Sequence, residues 1–222
     1  MTKDQFLSDT LRFWEDLDNN QKIHLNNSIE KHYFEKGESM KGSSDHCSGI
    51  FLIESGQVRA YIISENGKEI TLFRMFERDV CIFTASCIMK NITFEVYVEV
   101  EKPTEAYLIP TQVYKNLASE SLPVQAFMND LMASNFSDVM WIMEQALFTS
   151  FDKRLAMFLL EQINIEGSTD ISITHEKIAN NMGTAREVVS RMLKYFQNEG
   201  LVALARGGIQ ILDEKRLQNI TF

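Results

Sequence analysis

Two apolar stripes with helical spacing lie close together near the carboxyl terminus. The first consists of Ile178, Ala179 and Met182. Gly183 ends it, and a second stripe follows that consists of Val188, Val189, Met192, Leu193 and Phe196. Thr174 and Thr184 precede the two stripes and carry hydroxyl groups that can cap a helix. The spacing therefore predicts two short helices joined by a glycine turn.

Two short strands are predicted directly after these helices. Residues 201–212 alternate on either side of Arg206-Gly207-Gly208, which suits a hairpin turn. Residues 171–173, before the first helix, can add a strand to the same sheet. A helix-turn-helix followed by a β-hairpin is a winged helix, whose second helix can enter the major groove of DNA.

The outer face of the second helix carries side chains that suit base readout, namely Arg186, Glu187, Ser190 and Arg191. Arginine can donate two parallel hydrogen bonds to guanine, glutamate can accept one from cytosine, and serine can do either. A second interpretation stays open, because Thr184 and Glu187 also match the S/T-x-x-E capping box. Glu187 would then only close the start of the helix.

Residues 173–212 resemble the DNA-binding domain of the CRP/FNR family of bacterial transcription regulators. The recognition helix of that family carries R-E-x-x-x-R or E-x-x-S-R, and REVVSR at 186–191 satisfies both forms. The resemblance implies that Glu187 and Arg191 read a TGA-like core in each half-site of a palindrome. Arg186 matches the additional arginine of the R-E-x-x-x-R form, and Ser190 matches the serine of the E-x-x-S-R form.

The resemblance also implies contacts to the DNA backbone from the start of the first helix, by Thr174 and His175. Thr184, before the second helix, is a further candidate for a backbone contact. We expect Arg191→Ala to cost about 1–3 kcal/mol of binding free energy and to relax preference at one base pair. A change at His175 is expected to weaken binding without altering sequence preference.

The amino-terminal two-thirds breaks into short apolar or alternating runs, which indicate a sandwich or small barrel. The expected strands cover residues 50–54, 57–63, 69–73, 94–100 and 105–109. Gly56 and Pro103 mark breaks, and Asn66-Gly67 marks a hairpin. GIFLIESGQVRAYIISENGKEITLF resembles the double-stranded β-helix of the family's cyclic-nucleotide-binding domain.

The expected fold class is α+β with three parts. Residues 1–121 form a β-barrel sensor domain, residues 122–149 a dimerisation helix, and residues 150–222 the winged helix-turn-helix domain. The long helix has a 4-3-4-3-4 stripe typical of a coiled coil, the predicted seam, which consists of Met128, Met132, Asn135, Val139, Ile142 and Ala146. A second stripe is expected to pack on the β-domain and consists of Phe127, Leu131, Trp141 and Phe148. A helix buried within one subunit is the alternative.

The expected effector pocket departs from the family's cyclic-nucleotide site. Family members that bind cyclic nucleotides hold the phosphate with an arginine, whereas residues 91–100 contain none. A buried phosphate without a cationic partner is costly, so cAMP and cGMP are not expected to be effectors. The segment that stands in place of the family's phosphate-binding residues is short, apolar and thiol-bearing, which favours an uncharged small molecule or a redox signal as effector. The residues expected to line the pocket are Phe83, Thr84, Ala85, Ser86 and Cys87.

The cysteines form no pattern that ligates an iron–sulfur cluster. Cys81 and Cys87 could form a switchable disulfide, but buried structural thiols are the favoured interpretation. No cofactor and no metal site is predicted, and haem is a less favoured alternative, with an axial ligand from His24, His32 or His46. No catalytic signature is present, so the chain is not expected to be an enzyme.

The net charge of −9 is unevenly distributed. Residues 1–149 hold 13 basic and 22 acidic side chains, whereas residues 150–222 hold nine of each. Within residues 171–212 the balance is five basic to three acidic side chains, and such a weak basic patch predicts that base contacts supply a larger share of DNA binding. Expected partners are double-stranded DNA, a second copy of the chain, RNA polymerase and an unidentified small molecule. The chain shows no signal peptide or membrane-spanning run, so a cytoplasmic protein with no membrane partner is expected.

A regulator that binds DNA constitutively is the main alternative, with the β-domain serving only as a dimer scaffold. A haem-based gas sensor is a less favoured one. Large side chains in the expected pocket would favour the scaffold, whereas the small residues Thr84, Ala85 and Ser86 favour a pocket.

Overall fold

The computed structural model describes residues 2–40, 49–85 and 95–221. The chain divides into two compact units. The amino-terminal unit comprises Met1–Ile62 and Leu72–Asp138, and the carboxyl-terminal unit comprises Ile63–Thr71 and Val139–Phe222. Each unit contains its own apolar core.

The amino-terminal unit begins with helices that the apolar spacing did not predict, α1 (Lys3–Thr10) and α2 (Asn19–Ser28). Side chains cap both helices: Thr2 accepts a hydrogen bond from the backbone N–H of Gln5, and Asp18 forms a capping box with Gln21. Each helix buries only a few apolar side chains, so its periodic signal is weak.

The sheet of this unit has the strand order β1-β5-β2-β3, with β4 beside β2. Its strands are β1 (Glu30–Phe34), β2 (Gly49–Ile63), β3 (Glu69–Met75), β4 (Val80–Cys81) and β5 (Tyr97–Pro110). Strand β5 pairs antiparallel with β1 and with β2, and β4 pairs antiparallel with β2. The fold class expected from the sequence is confirmed.

Gly56 and Pro103 bend two long strands and do not end them. The register between β2 and β5 shifts repeatedly between Ile53 and Val58, which marks a β-bulge. Gly56 has a φ of +103°, and a Cβ atom there would overlap Thr104 Oγ1 and the carbonyl oxygen of Pro103. The predicted breaks were wrong as strand ends, because glycine and proline are also accepted at bulges.

Helices α3 (Thr111–Glu120) and α4 (Leu122–Phe148) follow the sheet. An apolar core joins one face of the sheet to α1, α2, α3 and the start of α4, and it includes Phe6, Leu25, Leu52, Tyr107, Leu117, Val124 and Phe127. A second apolar cluster is formed by side chains on the other face of these strands, and it includes Met40, Phe51, Ile53, Val58, Ala60, Met75, Val98 and Val100. Both cores are closed by side chains from distant parts of the chain.

The start of α4 corrects part of both predicted stripes. Met128, assigned to the predicted seam, is buried in the amino-terminal core at 8% exposure. Trp141 and Phe148, expected to pack on the β-domain, are 54% and 81% exposed. Among the described residues, the helix packs on this core through residues 124–131, and sequence spacing alone could not show where that packing stops.

The carboxyl-terminal unit contains α5 (Phe151–Glu166), α6 (His175–Asn181), α7 (Arg186–Asn198) and α8 (Glu214–Ile220). A small sheet has the order β6-β8-β7, formed by β6 (Asp170–Ile171), β7 (Val202–Ala205) and β8 (Gly208–Ile211). The predicted winged helix is thereby confirmed. Its core includes Leu155, Leu159, Ile178, Val189, Leu193, Phe196, Ile209 and Ile211.

The tip of the β2–β3 hairpin belongs to this same unit and contacts the turn between α6 and α7. Ile70 pairs with Met182 in an isolated antiparallel bridge. Thr71 Oγ1 donates a hydrogen bond to Asn181 Oδ1 at 2.7 Å, and Asn181 is buried. Gly183 has a φ of +64°, and a Cβ atom there would overlap the side chain of Ile70. The turn therefore needs glycine for its backbone and for its packing.

We expect Gly183→Ala to lower the free energy of unfolding by about 2–4 kcal/mol, because left-handed strain and overpacking act together. Gly200→Ala is the matched control, since Gly200 has a φ of +69° but no atom within 4 Å of an added Cβ. Its cost should be about 1–2 kcal/mol. Urea denaturation measures both values, and equal losses would show that the Ile70 contact contributes nothing.

Candidate nucleic-acid interface

Helix α6 begins as the sequence predicts. Thr174 occupies the cap position, and its Oγ1 accepts a hydrogen bond from the Lys177 backbone N–H at 3.1 Å. Ile178 and Ala179 are buried, and Met182 packs against the same core. Thr174 itself is exposed, so the side chain proposed to contact the DNA backbone lies at the surface.

Helix α7 begins one residue later than the sequence pattern suggests. The cap position is Ala185, which makes no side-chain capping bond, and the first helical residue is Arg186. The prediction that Thr184 caps this helix was therefore wrong. The turn between α6 and α7 determines where α7 begins, because the Thr184 backbone N–H donates a hydrogen bond to the Ala179 carbonyl oxygen at 3.0 Å.

This shift removes the competing interpretation of Glu187. A capping box requires the acidic residue three positions after the cap, which is position 188 here and holds valine. In the part of the chain that the structure describes, Glu187 makes no hydrogen bond or ion pair and is exposed. Its carboxylate is available to a ligand.

The base-reading candidates share the outer face of α7. Val189, Leu193 and Phe196 are fully buried beneath it. Arg186, Glu187 and Arg191 are exposed, and Ser190 is half-buried between them. One helix face thus presents two guanidinium groups, one carboxylate and one hydroxyl, all of which can hydrogen-bond base edges.

Two contacts join α6 to this face. His175 Nδ1 lies 2.9 Å from Ser190 Oγ, within hydrogen-bond distance. Arg186 Nε lies 4.0 Å from Glu176 Oε2, a long and exposed ion pair. Burial lowers the pKa of His175, and the charge of Arg186 lowers it further. The spacing of polar residues could not reveal these pairs, because their members lie on different helices.

The expected effector region is only partly described. Phe83 and Thr84 lie in a short 3₁₀ turn, Phe83–Ala85, whereas Ser86 and Cys87 fall outside the described residues. Thr84 Oγ1 donates to the carbonyl oxygen of Gly49 at 2.8 Å, and the ring of Phe83 packs 5.3 Å from that of Phe73. These two side chains already have partners within the protein.

Cys81 is fully buried, and burial raises the pKa of its thiol. Such a thiol ionises less readily, which fits a structural cysteine better than a reactive one. Its proposed disulfide partner, Cys87, lies outside the described residues, so the redox pair stays a prediction. Among the candidate haem ligands, His32 packs against Phe34 and Phe51, His24 is exposed, and His46 lies outside the described residues.

The arginines of the amino-terminal sheet face away from its apolar interior. Arg59 lies between the inward-facing Val58 and Ala60 and approaches Glu99 at 3.5 Å. Arg74 likewise lies between two residues that face the interior and bonds Glu101 at 2.8 Å. Strand alternation therefore places both guanidinium groups on the other face of the sheet.

Helix α4 carries a separate apolar surface, the exposed stripe, which consists of Met132, Phe136, Met140, Met143 and Leu147. Phe136 and Leu147 are each 66% exposed. The predicted seam shares only Met132 with it, since Asn135, Val139 and Ile142 are half-buried and Ala146 is exposed. An apolar row at intervals of four, four, three and four residues suits packing against another helix.

Two features are absent from the described ranges of the chain. No helix there is long and apolar enough to cross a membrane. No group of three or more histidine, cysteine, aspartate or glutamate side chains could hold a metal ion in the same residues.

Known proteins resemble this chain over most of its length. Residues 153–220 match the Crp-like helix-turn-helix domain, and residues 31–121 match the cyclic nucleotide-binding domain. A crystal structure of a crp/fnr-family transcriptional regulator from Eubacterium rectale shares 47% identity and a TM-score of 0.92, covering 96% of this chain and 99% of that one. Electron transport regulator A of Shewanella oneidensis is 29% identical over 213 residues, covering 90% of this chain and 82% of the relative. Regulatory protein HlyX of Actinobacillus pleuropneumoniae is 27% identical, with coverages of 85% and 80%.

Proposed function

Because the chain belongs to the CRP/FNR family of transcription regulators, we propose that two copies bind a palindromic DNA site with TGA-like half-site cores. The relatives and the fold are those of DNA-binding regulators, which are not enzymes. One observation supports base readout most strongly. Glu187 is exposed, takes no part in a capping box, and lies on the same face of α7 as Arg186 and Arg191.

The proposed readout assigns a chemical task to each side chain. Arg191 donates two hydrogen bonds to a guanine, and Glu187 accepts one from a cytosine amino group. Arg186 and Ser190 provide further contacts, and Thr174, His175 and Thr184 approach the DNA backbone. Thr184 is half-buried in the turn, so its share of the backbone contact is the smallest.

Arg191→Ala should weaken binding to the preferred site by about 1–3 kcal/mol and relax selection at one base pair of each half-site. The matched control is Arg216→Ala, which removes an exposed guanidinium of the same unit that bonds Glu199. In-vitro selection from a random DNA pool at fixed salt measures both effects. Unchanged sequence preference in Arg191→Ala would rule out the readout assignment, because the control already accounts for loss of charge.

The exposed stripe of α4 supports the proposal of a homodimer. A family member that binds a palindrome presents two reading helices about one turn of DNA apart, which a two-fold axis supplies. Helix packing through Met132, Phe136 and Met143 would cover apolar surface that the described part of this chain leaves open to solvent. Of the predicted seam, Met132 belongs to this stripe and Met128 is buried in the amino-terminal core.

Phe136→Glu should weaken dimerisation by about 2–4 kcal/mol, which raises the dimer dissociation constant roughly 30- to 1000-fold. The reason is that it places a charge where an aromatic side chain is buried between copies. Ser137→Glu adds the same charge to the neighbouring exposed position, off the stripe, and should leave the dimer intact. Sedimentation equilibrium reports the association of both variants. A dimeric Phe136→Glu protein would show that copies meet elsewhere.

We further propose that the signal is neither cAMP nor cGMP. The buried side chains that cluster inside the amino-terminal sheet include Phe51, Val58 and Met75. The buried guanidinium groups of Arg59 and Arg74 lie on the other face and are already engaged with Glu99 and Glu101. Large side chains such as Phe51, Phe73 and Met75 around this interior also support the alternative of a constitutive dimer scaffold. An uncharged ligand, haem, a thiol signal and contact with RNA polymerase remain further proposals.

Millimolar cAMP should leave the unfolding temperature of the intact protein unchanged relative to the same concentration of AMP. A ligand present at one hundred times its dissociation constant would stabilise the folded state by about 2.7 kcal/mol, which calorimetry detects readily. AMP controls for the charge of the nucleotide. A shift with cAMP alone would contradict the proposal and imply a phosphate-binding cation.

A further inference from the structure

The contact between His175 and Ser190 links the backbone-facing end of α6 to the base-reading face of α7. Nδ1 of the imidazole lies 2.9 Å from Oγ of the serine, and both residues are half-buried. Ser190 lies one helical turn after Arg186 and directly before Arg191. Its hydroxyl is therefore shared between a protein partner and any base that the neighbouring arginines approach.

The direction of this hydrogen bond decides what the hydroxyl can offer to DNA. A serine hydroxyl has one hydrogen and two lone pairs, and a histidine ring nitrogen either donates or accepts. When Nδ1 accepts, the serine oxygen can only accept from a base, such as the amino group of adenine or cytosine. When Nδ1 donates, the serine hydrogen is free for guanine O6, thymine O4 or a purine N7.

We infer that His175 is a positioning residue that sets the hydrogen-bonding direction of the Ser190 hydroxyl, and thereby the base preference of α7 at the position Ser190 faces. The inference rests on the proposed function, since it assumes that α7 reads bases. It also revises the expectation from the sequence that a change at His175 weakens binding without altering preference.

Protonation gives this arrangement a distinct signature. Burial and the charge of Arg186 on α7 lower the imidazole pKa below its usual value, and Glu176 on α6 pairs with that arginine. The ring is therefore neutral at neutral pH, where Nδ1 can accept. The imidazolium that forms in acid can only donate, so the serine hydrogen is then free to donate to DNA. Acidification should shift preference toward bases that present acceptors.

Nuclear magnetic resonance of the free, full-length protein tests the contact without DNA. The ¹⁵N chemical shifts of the His175 ring report which nitrogen carries the proton. Ser190→Ala should change the Nδ1 shift, and the control Ser172→Ala, which removes an exposed hydroxyl just before α6, should not. Equal spectra for wild type and Ser190→Ala would overturn the inference.

Selection from a random DNA pool then tests the consequence, using wild type, His175→Phe, His175→Gln, Ser190→Ala and the double variant His175→Phe/Ser190→Ala. His175→Phe and Ser190→Ala each remove the contact, and each should alter preference at the same base pair by about 2- to 10-fold. The double variant should show no further change, as expected for two residues that act as a pair. His175→Gln should keep a preference that no longer varies between pH 8 and pH 5.5.

The outcomes separate the two proposals. Uniform weakening on all sequences by His175→Phe would make His175 a backbone contact only and overturn the inference, while leaving the proposed function intact. Random DNA recovered with wild type would overturn the proposed function and this inference with it, whatever the resonance data show. Thermal unfolding of each variant identifies loss of folding, and His175→Gln provides the conservative rescue.

Discussion

The burial of Val189, Leu193 and Phe196 orients α7, and that orientation determines which of its side chains reach solvent. Each buried apolar side chain of this size contributes about 1.5–3 kcal/mol of transfer free energy, far more than an exposed ion pair. The helix therefore cannot rotate to shelter its charges without losing its core contacts. Exposure of Arg186, Glu187 and Arg191 follows from packing, even though their own interactions add little stability.

The turn before α7 controls the same face from the other side. Gly183 lets the chain reverse, and the Thr184 N–H bonds back to Ala179, so the helix starts at Arg186. A start one residue earlier would have placed Glu187 in a capping box. The hairpin tip residue Ile70 occupies the space beside Gly183, which explains why a side chain larger than hydrogen is not accommodated there. Readout chemistry thus depends on a turn that makes no proposed base contact.

The amino-terminal unit separates apolar and charged groups by strand alternation. Val58 and Ala60 face the interior, and Arg59 between them is fully buried on the opposite face of the strand, beside Glu99. The family's fold is kept, while the guanidinium groups of Arg59 and Arg74 pair with Glu99 and Glu101. The bulge at Gly56 allows β2 to continue from Gly49 to Ile63 as one strand, where the sequence predicted separate strands at residues 50–54 and 57–63.

Periodicity alone was sufficient for the winged helix, because each of its elements buries one regular face and local spacing records that face. It was also sufficient to select the side chains opposite the buried stripe, including Glu187 and Arg191. The continuity of β2 and β5, the burial of Met128, the start of α7 and the pairing of His175 with Ser190 were decided by the tertiary structure. Each depends on which distant segments meet, and contacts between distant segments leave no periodic signal in either segment.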